Sequence, residues 1–280
     1  MLNRLIVVSL CLLHSSPEFV STAVYTWDFR NGHFDNLSLV PIGPGAVNLL
    51  QPTNEGLRVS VPAGHDVKSV GFSPRFMISG DFELTVDFTI LNRTQPKSGF
   101  GTGPNIYLSM GSTSDAAASL SRLLRPDCRD VYGVFAARIE NGERIPAAKL
   151  FDVPRADKSQ TGRMQLKRAK SEISYSIADD DRSPLRLLVA LPVSDADVTM
   201  LRIGLSQSDI QSAATIVLHK ISIEADDLPH LPSEQSRTAQ LHRPQYQPPS
   251  PPKSYRWLWQ SLAALIVTSG TVMWWWKRRY

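Results

Sequence analysis

Glu83 and Asp87 stand four residues apart in the segment Gly80-Asp81-Phe82-Glu83-Leu84-Thr85-Val86-Asp87-Phe88-Thr89-Ile90. Phe82, Leu84, Val86, Phe88 and Ile90 alternate with Glu83, Thr85, Asp87 and Thr89. The period of two predicts a strand with one buried face and both carboxylates on the other. Paired carboxylates astride a glycosidic bond are the apparatus of glycoside hydrolysis. A strand rises about 3.3 Å per residue, so the two backbones lie roughly 13 Å apart, and an aspartate reaches less far than a glutamate. The plainer reading is a solvated or groove-lining strand face.

Other residue types suggest other chemistry. Carboxylate oxygens are the preferred donors of hard cations, which makes Asp179 and Asp181 candidate calcium ligands within Asp179-Asp180-Asp181. Three consecutive carboxylates turn toward one ion only in an unusual loop, and a solvated turn is the simpler reading. Calcium is the one cofactor the sequence suggests. The six histidines are scattered, without the close pairing of a zinc motif. No nucleophile elbow, phosphate loop or dinucleotide fingerprint is present, and Gly99-Phe100-Gly101-Thr102-Gly103-Pro104 lies between strands and opens no helix. Trp27 and Tyr107 are the aromatic side chains put forward for contact with a sugar ring. Arg155, Lys158, Arg163, Lys167, Arg168 and Lys170 crowd one stretch. They read as a solvated hairpin or as a contact for an anionic polymer or lipid headgroup.

These candidates need elements to position them. Period-two segments recur at 56–61, 163–168, 172–177, 200–205 and 215–223. Segments 131–139 and 185–191 are more continuously apolar and suit strands buried on both faces. Asn31-Gly32, Pro62-Ala63-Gly64, Ser79-Gly80-Asp81 and Asn141-Gly142 supply the turns. The alanines of 114–124 favour a helix there. The whole predicts an all-β, two-sheet antiparallel jelly-roll sandwich.

The ends of the chain suggest where this domain works. Residues 257–276, WLWQSLAALIVTSGTVMWWW, carry no formal charge. Twenty residues of helix span roughly 30 Å, the thickness of a bilayer's hydrocarbon core. Trp257 and Trp259 would mark one interface, and Trp274, Trp275 and Trp276 the other, with Lys277, Arg278 and Arg279 beyond. At the other end, Arg4, the apolar run 5–13 and Ser21-Thr22-Ala23 resemble a secretory signal. The expected organisation is a signal peptide at 1–23, an exported domain at 24–227, a proline-rich linker at 228–254, a single membrane-spanning helix at 255–276 and a cytoplasmic basic tail at 277–280. Membrane lipid is then a partner through residues 257–276. The linker holds seven prolines in 27 residues and favours an extended form.

Net charge is +4, part of it from the tail. That argues against a dedicated nucleic-acid binder, which carries a strong basic footprint. Of the two cysteines, Cys11 would leave with the signal. Cys128, left alone, has no intrachain partner and reads as an inert or buried thiol.

Trp27-Asp28-Phe29, Glu55-Gly56-Leu57-Arg58-Val59, Val70-Gly71-Phe72, the segment 76–84, the segment 161–168 and the closing strand 216–223 follow one another along the chain. That order of pieces resembles the concanavalin A-like lectin/glucanase jelly roll, and more closely a family of exported planctomycete proteins of uncharacterised function. The resemblance covers residues 25 to 226. Glucanases of this fold present Glu, Asp and Glu at alternate positions of one strand, and here Thr85 stands in the middle. The resemblance and the two chain ends together suggest a membrane-anchored, extracytoplasmic binding module for a glycan or surface partner, without catalysis. A divergent glycoside hydrolase and a structural part of an envelope assembly are the alternatives, since fold does not settle function.

Overall fold

The computed structural model describes residues 22–65, 69–112, 116–153, 160–180 and 183–232. The chain divides into two units, Met1–Ser233 and Glu234–Tyr280, and the second lies outside the described residues. So do the expected signal over residues 1–21, the linker from 233 onward, Trp257, Trp259, Trp274, Trp275, Trp276 and the tail cations. Among the described residues no helix is long and apolar enough to cross a membrane.

The described chain is all-β apart from two short helical turns. It opens with β1 (Ala23–Asp28), a 3-10 turn at Phe29–Asn31 and β2 (Leu39–Ile42). A one-turn helix, α1 (Ala46–Leu49), leads to β3 (Leu50–Thr53), β4 (Gly56–Val61) and β5 (Ser69–Pro74). Then come β6 (Ser79–Arg93), β7 (Gly103–Met110), β8 (Ala116–Leu124), β9 (Asp130–Glu140) and β10 (Glu143–Asp152). The series closes with β11 (Thr161–Ala169), β12 (Glu172–Ala178), β13 (Arg186–Pro192), β14 (Val198–Ser206) and β15 (Ala214–Asp227).

Two antiparallel sheets form from these strands. The eight-stranded sheet runs β13-β12-β11-β6-β15-β4-β3, with β1 also on β15, and the seven-stranded sheet runs β10-β9-β8-β7-β14-β5-β2. Their inner faces make one core. Leu57, Leu84, Val86, Leu166, Ile173 and Ile216 come from the first sheet, and Phe72, Ile106, Leu108, Leu120 and Ile203 from the second. The alternation read from 80–90 is the alternation of β6, whose inner side chains are buried while Glu83, Thr85, Asp87 and Thr89 face outward. Asn141 and Gly142 both take positive φ, the backbone a two-residue hairpin requires, and join β9 to β10 with Glu140 opposite Glu143.

Three local expectations differ from the structure. The helix expected over 114–124 is the strand β8. Alanine favours a helix, but β8 lies between β7 and β9, where small side chains let both faces pack: Ala117 and Ala118 are both fully buried. Segment 185–191 is not buried on both faces. It forms β13, an edge of its sheet, paired only with β12, and Leu187 is 58 % exposed. Segment 131–139 fits the expectation over Val131, Tyr132, Ala136 and Ala137 but ends with Ile139 exposed.

A buried charged cluster ties the two sheets at one end. Arg93 of β6 donates both terminal nitrogens to Asp130 of β9, at 3.1 and 2.8 Å, and Arg122 of β8 donates to the same carboxylate at 3.0 Å. Arg122 also lies over the ring of Tyr132, whose hydroxyl donates to Asp179 at 3.0 Å. Burial opposes the charge on Asp130, but the two guanidiniums more than offset it and hold the carboxyl below the usual range.

Candidate functional site

The outer face of the eight-stranded sheet is a set of cross-strand rows. One row reads Asp28, Lys220, Asp87, Arg163 from β1 through β15 and β6 to β11. The next reads Thr26, Ser222, Thr85, Gln165, Ser176, continuing onto β12, and is polar but uncharged. The third reads Val24, Glu224, Glu83, Lys167, Ser174. Glu83, Thr85, Asp87, Arg163, Gln165, Leu185, Lys220 and Ser222 line a depression of about 240 Å³ here. Arg163 Nε donates to Asp87 at 2.7 Å. Glu83 accepts from Lys167 Nζ at 3.2 Å and from Gln165 at 2.9 Å. Each carboxylate is therefore tied to its own cation across the β6–β11 ladder, and Thr85 stands between them.

The crowded basic stretch resolves the same way. Arg163 and Lys167 are the partners of those carboxylates. Arg168 turns inward, 2 % exposed, with its guanidinium 5.0 Å from the Phe82 ring and hydrogen-bonded to the carbonyls of Gly80 and Ala196. Burial pulls its pKa down, and Asp197, Asp81 and other nearby acids oppose that shift. Lys170 sits in the β11–β12 turn with positive φ. Arg155 and Lys158 lie outside the described residues.

Trp27 is not available to a ligand. It is 5 % exposed, packs against Tyr25 and Phe76, and donates its indole N–H to Ser38 at 2.8 Å. Ser38 and Tyr25 both donate to Asp35, so Trp27 belongs to a satisfied core network. Asp179 accepts from Tyr132, and Asp180 caps the backbone N–H and hydroxyl of Ser183 at 2.6 and 2.7 Å. Asp181 lies outside the described residues. Among those described, no group of three or more His, Cys, Asp or Glu residues could hold a metal ion. Cys128, expected to be buried or inert, is exposed in the β8–β9 turn with positive φ. His219 fills the bulge of β15 between Thr89 and the Glu55 carbonyl, at 2.7 Å from each.

Tyr107 lies on the opposite side of the sandwich, on the outer face of the seven-stranded sheet. It stands directly across the β7–β14 ladder from Arg202, and Asn105 stands across from Gly204. Gly204 in turn faces Gly71 on β5, and Ser206 faces Ser69. The two glycines leave no side chains on that stretch of the face. A Cβ on Gly71 would collide with the Ile203 carbonyl, and one on Gly204 with the Val70 carbonyl, so these strands approach as only glycine allows. The result is a depression of about 170 Å³ lined by Ser69, Asn105, Tyr107, Arg202, Gly204 and Ser206. A second one, of about 330 Å³, shares Ser69 and Arg202 with it and is bounded by Ile42, Gly43, Pro44, Gly71 and Ile203. From β7 to β5 is two strand spacings, roughly 10 Å. Asn105 is oriented by Ser119, with contacts of 3.3 and 3.4 Å. In the same row as Tyr107, Ser119 leads to Phe135 on β9, a second aromatic ring on this face.

The four proposed ligand residues therefore fall in three places: Trp27 in the core, Glu83 and Asp87 on one outer face, Tyr107 on the other. Asn105, Arg202, Gly71 and Gly204 were not singled out from the sequence. The alternation of Met200-Leu201-Arg202-Ile203-Gly204-Leu205 places Arg202 and Gly204 on one polar face, but only strand order puts that face beside Tyr107.

Solved structures share this fold at low identity. A mutant of the GH43 protein BlXynB from Bacillus licheniformis is 10 % identical with a TM-score of 0.53, over 71 % of this chain and 39 % of that one. A legume lectin-like domain from Entamoeba histolytica is 12 % identical with a TM-score of 0.46, over 67 % and 90 %. The carbohydrate-binding module CBM66 from Bacillus subtilis is 17 % identical with a TM-score of 0.41, over 67 % and 96 %. At such identities the likeness is one of fold. No curated protein matches the chain. Residues 15–251 match the family model described as the C domain of the protein of unknown function DUF1583, and the chain belongs to that family.

Proposed function

We propose that this domain is a non-enzymatic glycan-binding module and that the Tyr107 depression is its binding surface. The observation that carries the reading is the composition of that depression. It brings together an aromatic ring, an oriented amide, a guanidinium and two serine hydroxyls around Gly204, with Gly71 facing Gly204 from β5. A sugar ring offers an apolar face to an aromatic side chain and hydroxyls to amide, hydroxyl and guanidinium groups. The depression on the opposite face offers polar groups, but none of its described lining residues is aromatic, and the two carboxylates that line it are held in ion pairs. The proposal includes a location. The apolar run 257–276 and the signal-like N-terminus support a module held outside a membrane.

The test uses the full chain, purified with mild detergent, on a panel of polysaccharides that reports retention and reducing-end release together. Retention without release, lost on Tyr107→Ala, is the expected result. Release of reducing ends that disappears on Glu83→Gln would replace this reading with a divergent hydrolase. Silence on both counts, with protein partners co-purifying, would favour a structural role in an envelope assembly.

A further inference from the structure

Arg202 is the one side chain common to both depressions on the seven-stranded sheet that carries a charge. It is exposed, and among the described residues it has no hydrogen bond or ion pair. That sets it apart from most cations near a candidate surface. Arg163 meets Asp87, Lys167 meets Glu83, Arg93 and Arg122 share Asp130, Arg129 meets Asp127, and Arg138 meets Glu140. Among the described residues, neither depression is lined by a carboxylate. The surroundings of Arg202 are serine hydroxyls, the Asn105 amide, the Tyr107 ring and bare glycine backbone. The Tyr107 hydroxyl likewise has no partner among the described residues.

We infer that the groove takes an acidic sugar, and that Arg202 is the partner of its carboxylate. This rests on the glycan reading above and names the class of sugar. A guanidinium presents a planar fork of donors that matches a carboxylate with two parallel hydrogen bonds. A hexuronic acid carries such a carboxylate beside the apolar ring face and hydroxyls that Tyr107, Asn105, Ser69 and Ser206 suit. A neutral hexose would leave the fork without its matching anion, while an acidic residue on the wall would have repelled the uronate. The opposite face makes the contrast: of the two cations lining its depression, Arg163 is held by Asp87, and Lys220 stands in the ladder between Asp28 and Asp87, so a uronate there meets carboxylates as well as cations.

The experiment measures the affinity of the full chain, in mild detergent, for polygalacturonate and alginate, for polygalacturonate whose carboxyls have been reduced to alcohols, and for dextran sulfate. The variants are Arg202→Gln, Arg202→Lys, and Arg186→Gln as an exposed cation of the other sheet. All three substitutions fall on exposed side chains, and circular dichroism checks that each variant is folded. Uronate polymers should bind at least tenfold more tightly than the carboxyl-reduced polymer. Arg202→Gln should weaken uronate binding about ten- to hundredfold, the range of a charge-assisted hydrogen-bonded contact. Arg202→Lys should fall between, and Arg186→Gln should change little. Equal binding of reduced and unreduced polymer, with Arg202→Gln unaffected, would overturn the acidic-sugar inference and leave the glycan reading standing. Equal weakening by Arg202→Gln and Arg186→Gln, with dextran sulfate bound as well as the uronates, would reduce the effect to general surface charge and also overturn it. Retention of no polysaccharide at all would sink the glycan reading itself.

Discussion

Asp87 of β6 and Arg163 of β11 stand opposite each other in the ladder and meet at 2.7 Å through the arginine Nε. Four residues along, Glu83 meets Lys167 in the same way at 3.2 Å. The pair of acids that reads from the sequence as a possible hydrolytic site is thus two cross-strand ion pairs flanking Thr85. Such pairs stabilise a sheet modestly and fix its register.

Replacing either acid should therefore cost little. Glu83→Gln and Asp87→Asn should each lower stability by about 0.2–1 kcal/mol, because both pairs are partly solvent-screened. Neither should alter glycan retention. Chemical denaturation of each variant beside a retention assay checks this, and a large loss of retention would mean that the acid pair, not the Tyr107 face, holds the ligand.

Trp27 and Tyr107 should separate stability from binding. Trp27→Ala empties a buried site and removes the indole N–H that Ser38 accepts, so about 3–5 kcal/mol should be lost. Tyr107→Ala removes a half-buried surface ring and should cost about 1 kcal/mol or less while abolishing retention. Thermal melts and affinity gels on the two variants should give opposite rankings.

Asp130 neutralises the buried guanidinium of Arg122 and the partly buried one of Arg93, so Asp130→Asn should cost about 3 kcal/mol by leaving both without their anion. The pH dependence follows the same pairing. The folded carboxyl lies below its unfolded value of about 3.9. Its contribution is thus present above about pH 4 and lost as pH falls through the lower folded value. Acid unfolding curves of the parent and of Asp130→Asn should converge below about pH 4. Parallel curves there would show that Asp130 does not set the acid limit.

Tyr132 and Tyr175 should be silent to alkaline titration while the protein is folded. Burial raises both phenols well above the ordinary value of about 10. The unfolded chain ionises first, so stability falls as pH rises above about 10. Tyrosinate absorbance should show an early phase that includes exposed phenols and a late phase that coincides with loss of the far-UV spectrum. Full ionisation before unfolding would contradict the burial of these two rings.

Much of the architecture is legible in the sequence. A period of two needs only that one face be buried, and β6, β4, β11, β12, β14 and β15 each announce it in their own residues. Turn chemistry is equally local, as Asn141-Gly142 shows. What misled was context. The alanines of β8 favour a helix in isolation, and the strands on both sides override that preference. The apolar run of β13 reads as a buried strand, yet strand order leaves it at an edge. Trp27 falls in a core network with Tyr25 of its own strand and with Asp35 and Ser38 of the loop that follows.

The local pattern of the chain alone determined that it would form strands, which side chains would face inward, and that Glu83 and Asp87 would share a face. Only the tertiary structure decided what each outward side chain would meet. Register set Arg163 and Lys167 against the two acids and so neutralised them. The order of strands set Arg202, Gly204 and Gly71 beside Tyr107, residues separated by up to 133 positions in sequence but adjacent across two ladders. Alternation is a property of neighbours along one chain segment, whereas a binding surface is a property of neighbours across several, and long-range pairing is what brings those together.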